Sequence, residues 1–239
     1  MSESGLQQRI AAIRERIAAA AKRGGRRADE ITLIAVSKTH PADVIRAAFE
    51  LGVQHFGENR VQEWEGKRAP VESLPAQWHL IGHLQSNKAA KAARIFHSVD
   101  SVDDFALAQR LDRARVDAAE QRKLRVLIEV RIAPEETKSG IEREGLAALV
   151  DQVSMLNHLD LQGLMCIPPF LEDAEKVRTF FSDLRRLRDD LERKLGKKLP
   201  VLSMGMSHDF EVAIEEGATE VRIGTAMFGT RASPQHPTG

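Results

Sequence analysis

Apolar positions along the chain follow two periods in alternation. Leu6, Ile10, Ile13 and Ile17 recur at helical spacing and stop at Gly24-Gly25, which predicts an opening amphipathic helix. From Ile31 onward, short apolar runs that read as buried strands exchange places with segments of helical period. Strands are expected at Ile31 to Val36, Val53 to Phe56, Trp78 to Ile81, Ile95 to Val99, Arg125 to Val130, Leu161 to Ile167, Pro200 to Gly205 and Glu220 to Gly224. Between them run helical stripes. Val44, Ile45, Ala48 and Leu51 follow Pro41, a second helix starts near Glu58, and further helices are expected over Lys88 to Arg94 and Asp103 to Glu120. Leu146, Leu149, Val150 and Val153 form another stripe, and Val177, Phe180, Phe181, Leu184, Leu187 and Leu191 the longest.

Strands separated by helices imply parallel pairing through right-handed crossovers. Eight such units in 239 residues fit a closed, single (β/α)8 TIM-type barrel, an α/β fold that typically takes about 250 residues. An open doubly wound sheet is disfavoured, since neither GxGxxG nor GxxxxGK[ST] occurs. No internal linker interrupts the pattern, so residues 1–231 are expected to form one domain. The turn-rich segment 232–239 (ASPQHPTG) is expected to be a disordered tail.

Composition removes several functional classes. Basic and acidic residues balance at 35 each, leaving no overall field to recruit nucleic acid or an anionic membrane. No apolar run approaches the roughly 18 residues of a membrane span, and the N-terminus lacks a signal-peptide core. Cys166 is the only cysteine, which rules out an intrachain disulfide and fits a reducing compartment. A cytoplasmic location is therefore expected.

In such a barrel, reactive groups gather at the carboxyl ends of the strands. The candidates there are Lys38, Asn59, His83, Arg131, Cys166, the turn from Ser203 to Ser207 and the turn from Arg222 to Thr225. Period-two alternation puts Ile34, Val36 and Lys38 on one face. If that face points inward, the ammonium hangs into the barrel mouth, where partial desolvation lowers its pKa and leaves an amine for a carbonyl. A solvated strand-end lysine is the ordinary alternative.

SMGMS and RIGTAMFG, at the ends of adjacent strands, each offer free backbone N–H groups and a hydroxyl at a helix start. Either turn alone would be plain N-capping; together, at strands seven and eight, they predict a phosphate site. Arg222 alternates against Val221 and Ile223, so it faces inward or breaks the pattern. A buried guanidinium needs a partner, either an inward acid such as Glu129 or the ring nitrogen of a bound heterocycle. His79 and His83 straddle Gly82 outside any helix and lack a third ligand, so no metal site is expected. Cys166 reads as core.

The motifs AVSKTHP, FGENRVQE, WHLIGHLQSNK, SVDS, TKSG, GLMCIPP and SMGMSHDFEVAIEEGATEVRIGTAMFG occur in one order from Ile31 to Arg231. In this the sequence resembles the pyridoxal phosphate homeostasis proteins, the YggS-like family, whose fold is similar to the N-terminal barrel of alanine racemase. The resemblance implies that Lys38 forms a Schiff base with pyridoxal 5′-phosphate (PLP). It implies that Asn59 and His79 line the pocket. Ser203 and Ser207, with the backbone of Gly224 and Thr225, would hold the phosphate, and Arg222 would meet the pyridine nitrogen. Lys138, on the loop after strand five, would be a second lysine able to approach the cofactor.

The implied function is intracellular PLP homeostasis as a carrier or buffer, with apo-PLP enzymes as potential recipients and a monomer as the expected state. Racemases related to this fold use a tyrosine from a second domain as their second base. The chain contains no tyrosine and ends soon after its eighth strand, so robust catalysis is not expected. A weak PLP-dependent amino-acid racemase is the alternative, and a Schiff-base aldolase acting on a sugar phosphate a third reading.

Overall fold

A computed structural model describes residues 3–118, 122–133 and 139–229; Lys138 and the segment 232–239 therefore lie outside the described residues. Its strands are β1 (Thr32–Val36), β2 (His55–Glu58), β3 (Gln77–Leu80), β4 (Ser98–Val102), β5 (Leu124–Glu129), β6 (Leu159–Met165), β7 (Val201–Met206) and β8 (Glu220–Ile223). All neighbours pair in parallel and β8 returns to β1, closing the barrel. The helices are α1 (Glu3–Arg23), α2 (Ala42–Glu50), α3 (Val61–Arg68), α4 (Ala89–Ile95), α5 (Phe105–Asp117), α6 (Arg143–Ser154), α7 (Arg178–Leu195), α8 (Phe210–Glu215) and α9 (Thr225–Phe228). Among the described residues, no helix is long and apolar enough to cross a membrane.

The main core lies between the strands and the helices that cover them. Phe56, Trp78, Leu80, Val126, Ile128, Leu202, Val221 and Ile223 point outward into it, as expected for parallel strands packed under amphipathic helices. The inside of the barrel is different. Ile34, Val36, Ile81, Leu127 and Met165 are buried but stand apart from that core, and they share the interior with His79, Arg125, Glu129, Ser203, Glu220 and Arg222.

That polar interior explains where the sequence reading slipped. The fourth strand was expected over Ile95 to Val99 but runs from Ser98 to Val102. Its alternate residues Ser98 and Asp100 face the barrel interior, so the strand does not look apolar; Ile95 ends α4 instead. The second strand is displaced in the same direction, to His55–Glu58.

The opening helix braces the two elements that follow β7 and β8. Its buried face (Leu6, Ile10, Ile13, Ile17, Ala20, Ala21) packs on α8 and α9. Arg9 donates to the carbonyl of Met227 at 2.6 Å, Arg16 pairs with Glu211 at 2.9 Å and lies over the Phe210 ring, and Arg23 pairs with Glu215 at 2.6 Å. The exposed pairs add little to stability singly; their use is to set the angle at which α1 lies over the last two turns of the barrel.

Candidate functional site

Lys38 lies two residues beyond the end of β1, half-buried, at the first position of a turn. The next residue, Thr39, has φ of +66°, the only non-glycine positive φ among the described residues. A β-branched residue in the left-handed region is strained by about 1–3 kcal/mol, and such strain persists only where neighbours over-determine the backbone. Helix α3 supplies those neighbours. Glu63 accepts the Thr39 N–H, and Lys67 Nζ donates to the Ser37 carbonyl at 2.7 Å while pairing with buried Glu58 at 2.9 Å. Ser37 Oγ also donates to Glu58, at 2.5 Å. Burial pushes the Glu58 carboxyl up, opposed by Lys67 and Ser37. The ends of β1 and β2 are thus pinned from outside, on both sides of Lys38. Thr39→Gly is expected to raise stability by up to about 1 kcal/mol by releasing the strain, read as a higher urea midpoint with unchanged slope.

Sequence reasoning missed Glu58, Glu63 and Lys67. The Glu63 and Lys67 spacing marks one helix face, but nothing local says that the face meets Ser37 and Thr39.

Barrel closure sets the turns after β7 and β8 beside Lys38. Ile34 is in register with Arg222, and Gly224 lies against Val36, where a Cβ would sit 3.5 Å from the valine Cβ. Ser207 Oγ accepts two backbone N–H groups, from Gly224 and Ala226, each at 3.2 Å. Thr225 begins α9 beside them and is exposed. Two N–H donors converging at long distance on one hydroxyl are donors that a phosphate oxygen can share.

Ser203 is elsewhere. It is a strand residue of β7, fully buried, and its Oγ accepts from Arg222 Nη1 at 2.8 Å. The turn expected from Ser203 therefore starts later, because β7 continues to Met206. Arg222 is inward and only 3% exposed, and its Nη2 donates to the Cys166 carbonyl at 2.7 Å. The ion pair with an inward acid such as Glu129, one of the two alternatives for Arg222, does not form: no carboxylate of a described residue lies within ion-pair distance of Arg222. A buried guanidinium bonded only to neutral oxygens retains an unmet demand for an electron-rich partner. Burial pushes Glu129 up, with Ser139 donating to it at 2.9 Å. Burial also raises the Cys166 thiol to about 12, so it is an inert core residue.

Asn59 follows β2 at the mouth and lines a cavity of about 530 Å³ with Arg60, His83 and Lys88. Gly82 makes this possible, since a Cβ there would lie 2.4 Å from the Asn59 carbonyl oxygen. His79 is not at the mouth. It is 2% exposed and belongs to the level of Glu220, one inward position below Arg222 on β8. His79 Nδ1 faces Asp100 at 3.1 Å and its Nε2 faces His55 Nδ1 at 3.0 Å. With Asp100 accepting, the Nδ1 proton is fixed and Nε2 is left to accept from His55. Arg125 completes the group, donating to Glu220 at 2.7 Å.

His79, Asp100 and Glu220 bring ligand atoms within 4.8 Å of one another. Arg125 already provides the cation there, with its Nη1 3.4 Å from His79 and its Nη2 on Glu220. Burial pulls the Asp100 carboxyl up, but His79 and Arg125 outweigh it and hold the group below its ordinary range. Burial and the Asp100 charge together push Glu220 up.

Burial and the neighbouring His79 and Arg125 lower His55 to about 4, against about 6.5 in an unfolded chain. Between those values the unfolded chain binds the extra proton, so this group's stabilisation, complete above about pH 6.5, is lost as the pH falls towards 4. His55→Gln is expected to melt with a shallower pH dependence across that window. Identical slopes for the two proteins in thermal melts would refute this.

A parallel barrel with a lysine ending its first strand, and with paired turns beyond its last two, is the alanine racemase type of barrel. Residues 9–232 match the family described as alanine racemase, N-terminal domain. An alanine racemase from Clostridium difficile shares this fold at a TM-score of 0.69 with 15% identity, over 86% of this chain and 54% of that one. Closer likeness lies elsewhere in the class. A protein of Aquifex aeolicus named pyridoxal phosphate homeostasis protein is 46% identical over 225 residues, covering 94% of this chain and 97% of that one. The chain belongs to the family of pyridoxal phosphate homeostasis proteins. Among solved structures, PipY of Synechococcus elongatus PCC7942 with PLP bound superimposes at a TM-score of 0.83, with 38% identity over 94% of this chain and 100% of that one.

Proposed function

We propose that this chain binds pyridoxal 5′-phosphate at the carboxyl-terminal mouth of the barrel and serves intracellular PLP homeostasis as a carrier or buffer. The observation that carries this reading is the closure of β8 onto β1. It sets the strand that leads into the Lys38 turn against the Gly224 turn, whose N–H groups converge on Ser207. The 46% identity to a named homeostasis protein and the PLP-bound relative at 38% support the same reading.

The residues fit the cofactor. Lys38 supplies the amine, from a turn whose flanking backbone is held by the α3 contacts to Ser37 and Thr39. Ser207, with the backbone of Gly224 and Thr225, receives the phosphate, and Asn59 borders the mouth. Arg222 faces the ring nitrogen. The cofactor supplies an aldehyde, which condenses with a primary amine. Arg222 can donate but has no lone pair to accept a proton, so a nitrogen facing it stays unprotonated and the ring is a poorer electron sink than one paired with a carboxylate.

Holding is favoured over turnover. The chain has no tyrosine to serve as a second base opposite Lys38, and Cys166 is buried with its thiol raised to about 12. The working unit in this reading is the single barrel of residues 1–231, acting as a cytoplasmic monomer that delivers cofactor to apo-PLP enzymes, with Lys138 as an accessory lysine. The test is borohydride reduction of the protein incubated with PLP, followed by intact mass and peptide mapping. One stable adduct on Lys38 is expected. Absence of any adduct, or an adduct distributed over surface lysines, would sink the proposal.

A further inference from the structure

The turn that carries Lys38 runs from Ser37 to His40. The His40 N–H closes it on the Ser37 carbonyl at 3.1 Å. Lys38 and Thr39 are therefore its two central residues, and the φ of +66° falls on the second of them. A type II turn needs a positive φ at that position and usually carries glycine there. Helix α3 grips the turn on one side, at the Ser37 carbonyl and the Thr39 N–H. Its exit is held elsewhere. Pro41 follows His40 and restricts its backbone to extended conformations. The His40 ring lies against Phe228, with ring centroids 4.6 Å apart and planes inclined by 35°.

Phe228 is the last residue of α9, the single helical turn that begins at Thr225. The N–H groups of Met227 and Phe228 both donate to the Gly224 carbonyl at 2.9 Å. The N–H groups of Gly224 and Ala226 meet on Ser207. The ring that touches the Lys38 turn and the donors assigned to the phosphate thus belong to one hydrogen-bonded unit, residues 224–228. Arg9 holds that unit from the α1 side, through the Met227 carbonyl at 2.6 Å. Met227 and Phe228 are both buried, so a shift of the unit takes the Phe228 ring with it.

We propose that His40 is a positioning residue that couples the phosphate turn after β8 to the Lys38 turn, so that an occupied phosphate turn holds Lys38 ready to capture an aldehyde. This rests on the reading of the mouth as a PLP site. His40 acts through the N–H that closes the Lys38 turn and through its ring on Phe228, not at the reacting atoms. An anion can shift the Lys38 turn only by as much as it favours one arrangement over the other. A single aromatic contact limits that preference to about tenfold.

Pyridoxal, which has the aldehyde but no phosphate, separates the two halves of the site. Its capture condenses the Lys38 amine with the aldehyde carbon, releasing one water and leaving a C=N bond that borohydride reduces. The rate of Lys38 labelling by pyridoxal would be followed by borohydride quenching and peptide mapping, with and without inorganic phosphate. Sodium chloride keeps the ionic strength constant, and the temperature stays well below the Tm of every protein compared. General catalysis by phosphate is read from the exposed Lys194 in the same digests and divided out. In the wild type, phosphate is expected to speed labelling several-fold, up to about tenfold. His40→Ala should lose the acceleration and label slowly in both conditions. His40→Phe, which keeps a ring for Phe228, should retain it. The ratio is taken within one protein, so a general loss of stability does not move it. Equal acceleration in wild type and His40→Ala, or none in the wild type, overturns the proposal. So does a His40→Phe that behaves like the alanine variant. These results leave the PLP reading standing where PLP itself labels Lys38; absence of a PLP label on wild-type Lys38 would remove both.

Discussion

Lys38→Ala is expected to abolish the borohydride-stable PLP adduct and to weaken cofactor binding at least about a hundredfold, near 2.7 kcal/mol. The substitution should leave the fold intact, because Lys38 lies beyond β1 on a turn held by other groups: Thr39 N–H by Glu63, and the Ser37 carbonyl by Lys67. What remains is the non-covalent part of the site, namely the Ser207, Gly224 and Ala226 donors and the Arg222 guanidinium. These still favour a phosphorylated ring, so weak and salt-sensitive binding should survive. Lys38→Arg separates charge from covalency. It keeps a cation at the mouth but has no amine to condense, so it should resemble the alanine variant in adduct formation and the wild type in melting temperature. Absorbance titration and mass spectrometry read both variants. A wild-type adduct yield in Lys38→Ala would move the site to another lysine.

Alternation along β1 put Ile34, Val36 and Lys38 on one face, and the structure has Ile34 and Val36 inside the barrel, apart from the main core. The same alternation left Arg222 either inward or out of pattern, and the structure has it inward. Strand order and closure followed from counting units, because outward-facing residues are apolar and mark each strand. Inward residues are mixed, Ile34, Val36, Leu127 and Met165 apolar and many others not. His55, Ser98, Asp100, Arg125 and Glu220 are polar and come from four strands, so no local pattern announces either the strands that carry them or their meeting. That is why β4 was placed three residues early, over the apolar end of α4. The resemblance gives Ser203 and Ser207 one role at the phosphate, yet one faces Arg222 within the barrel and the other the turn above it. The α3 clamp on Lys38 was invisible for a related reason: it depends on how a crossover helix tilts over two strand ends.

Arg125→Met is expected to be the most destabilising single change inside the barrel, by about 3–5 kcal/mol, because it removes one partner from a buried ionic group. Asp100 is fully buried and Glu220 is 5% exposed. Arg125 donates to Glu220 at 2.7 Å and lies within 3.4 Å of both Ser98 and His79. Without the guanidinium, two carboxylates face each other across His79 with a single shared cation at best. Glu220 is already pushed up by burial and by Asp100, with Arg125 opposing, so the variant should drive it further up until it takes a proton. The sign then follows. A carboxyl whose folded pKa exceeds its unfolded value contributes stability that is complete below the unfolded value and lost as the pH rises through the folded one. The deficit of Arg125→Met relative to wild type should therefore be smaller near pH 5 than near pH 8. Adding Glu220→Gln removes the stranded charge, so the double variant should recover part of the loss at pH 8 and less at pH 5. Urea denaturation of the four proteins of this cycle measures the coupling directly. A deficit independent of pH, or a double variant no better than the single, would mean that Arg125 acts by filling space and not by charge.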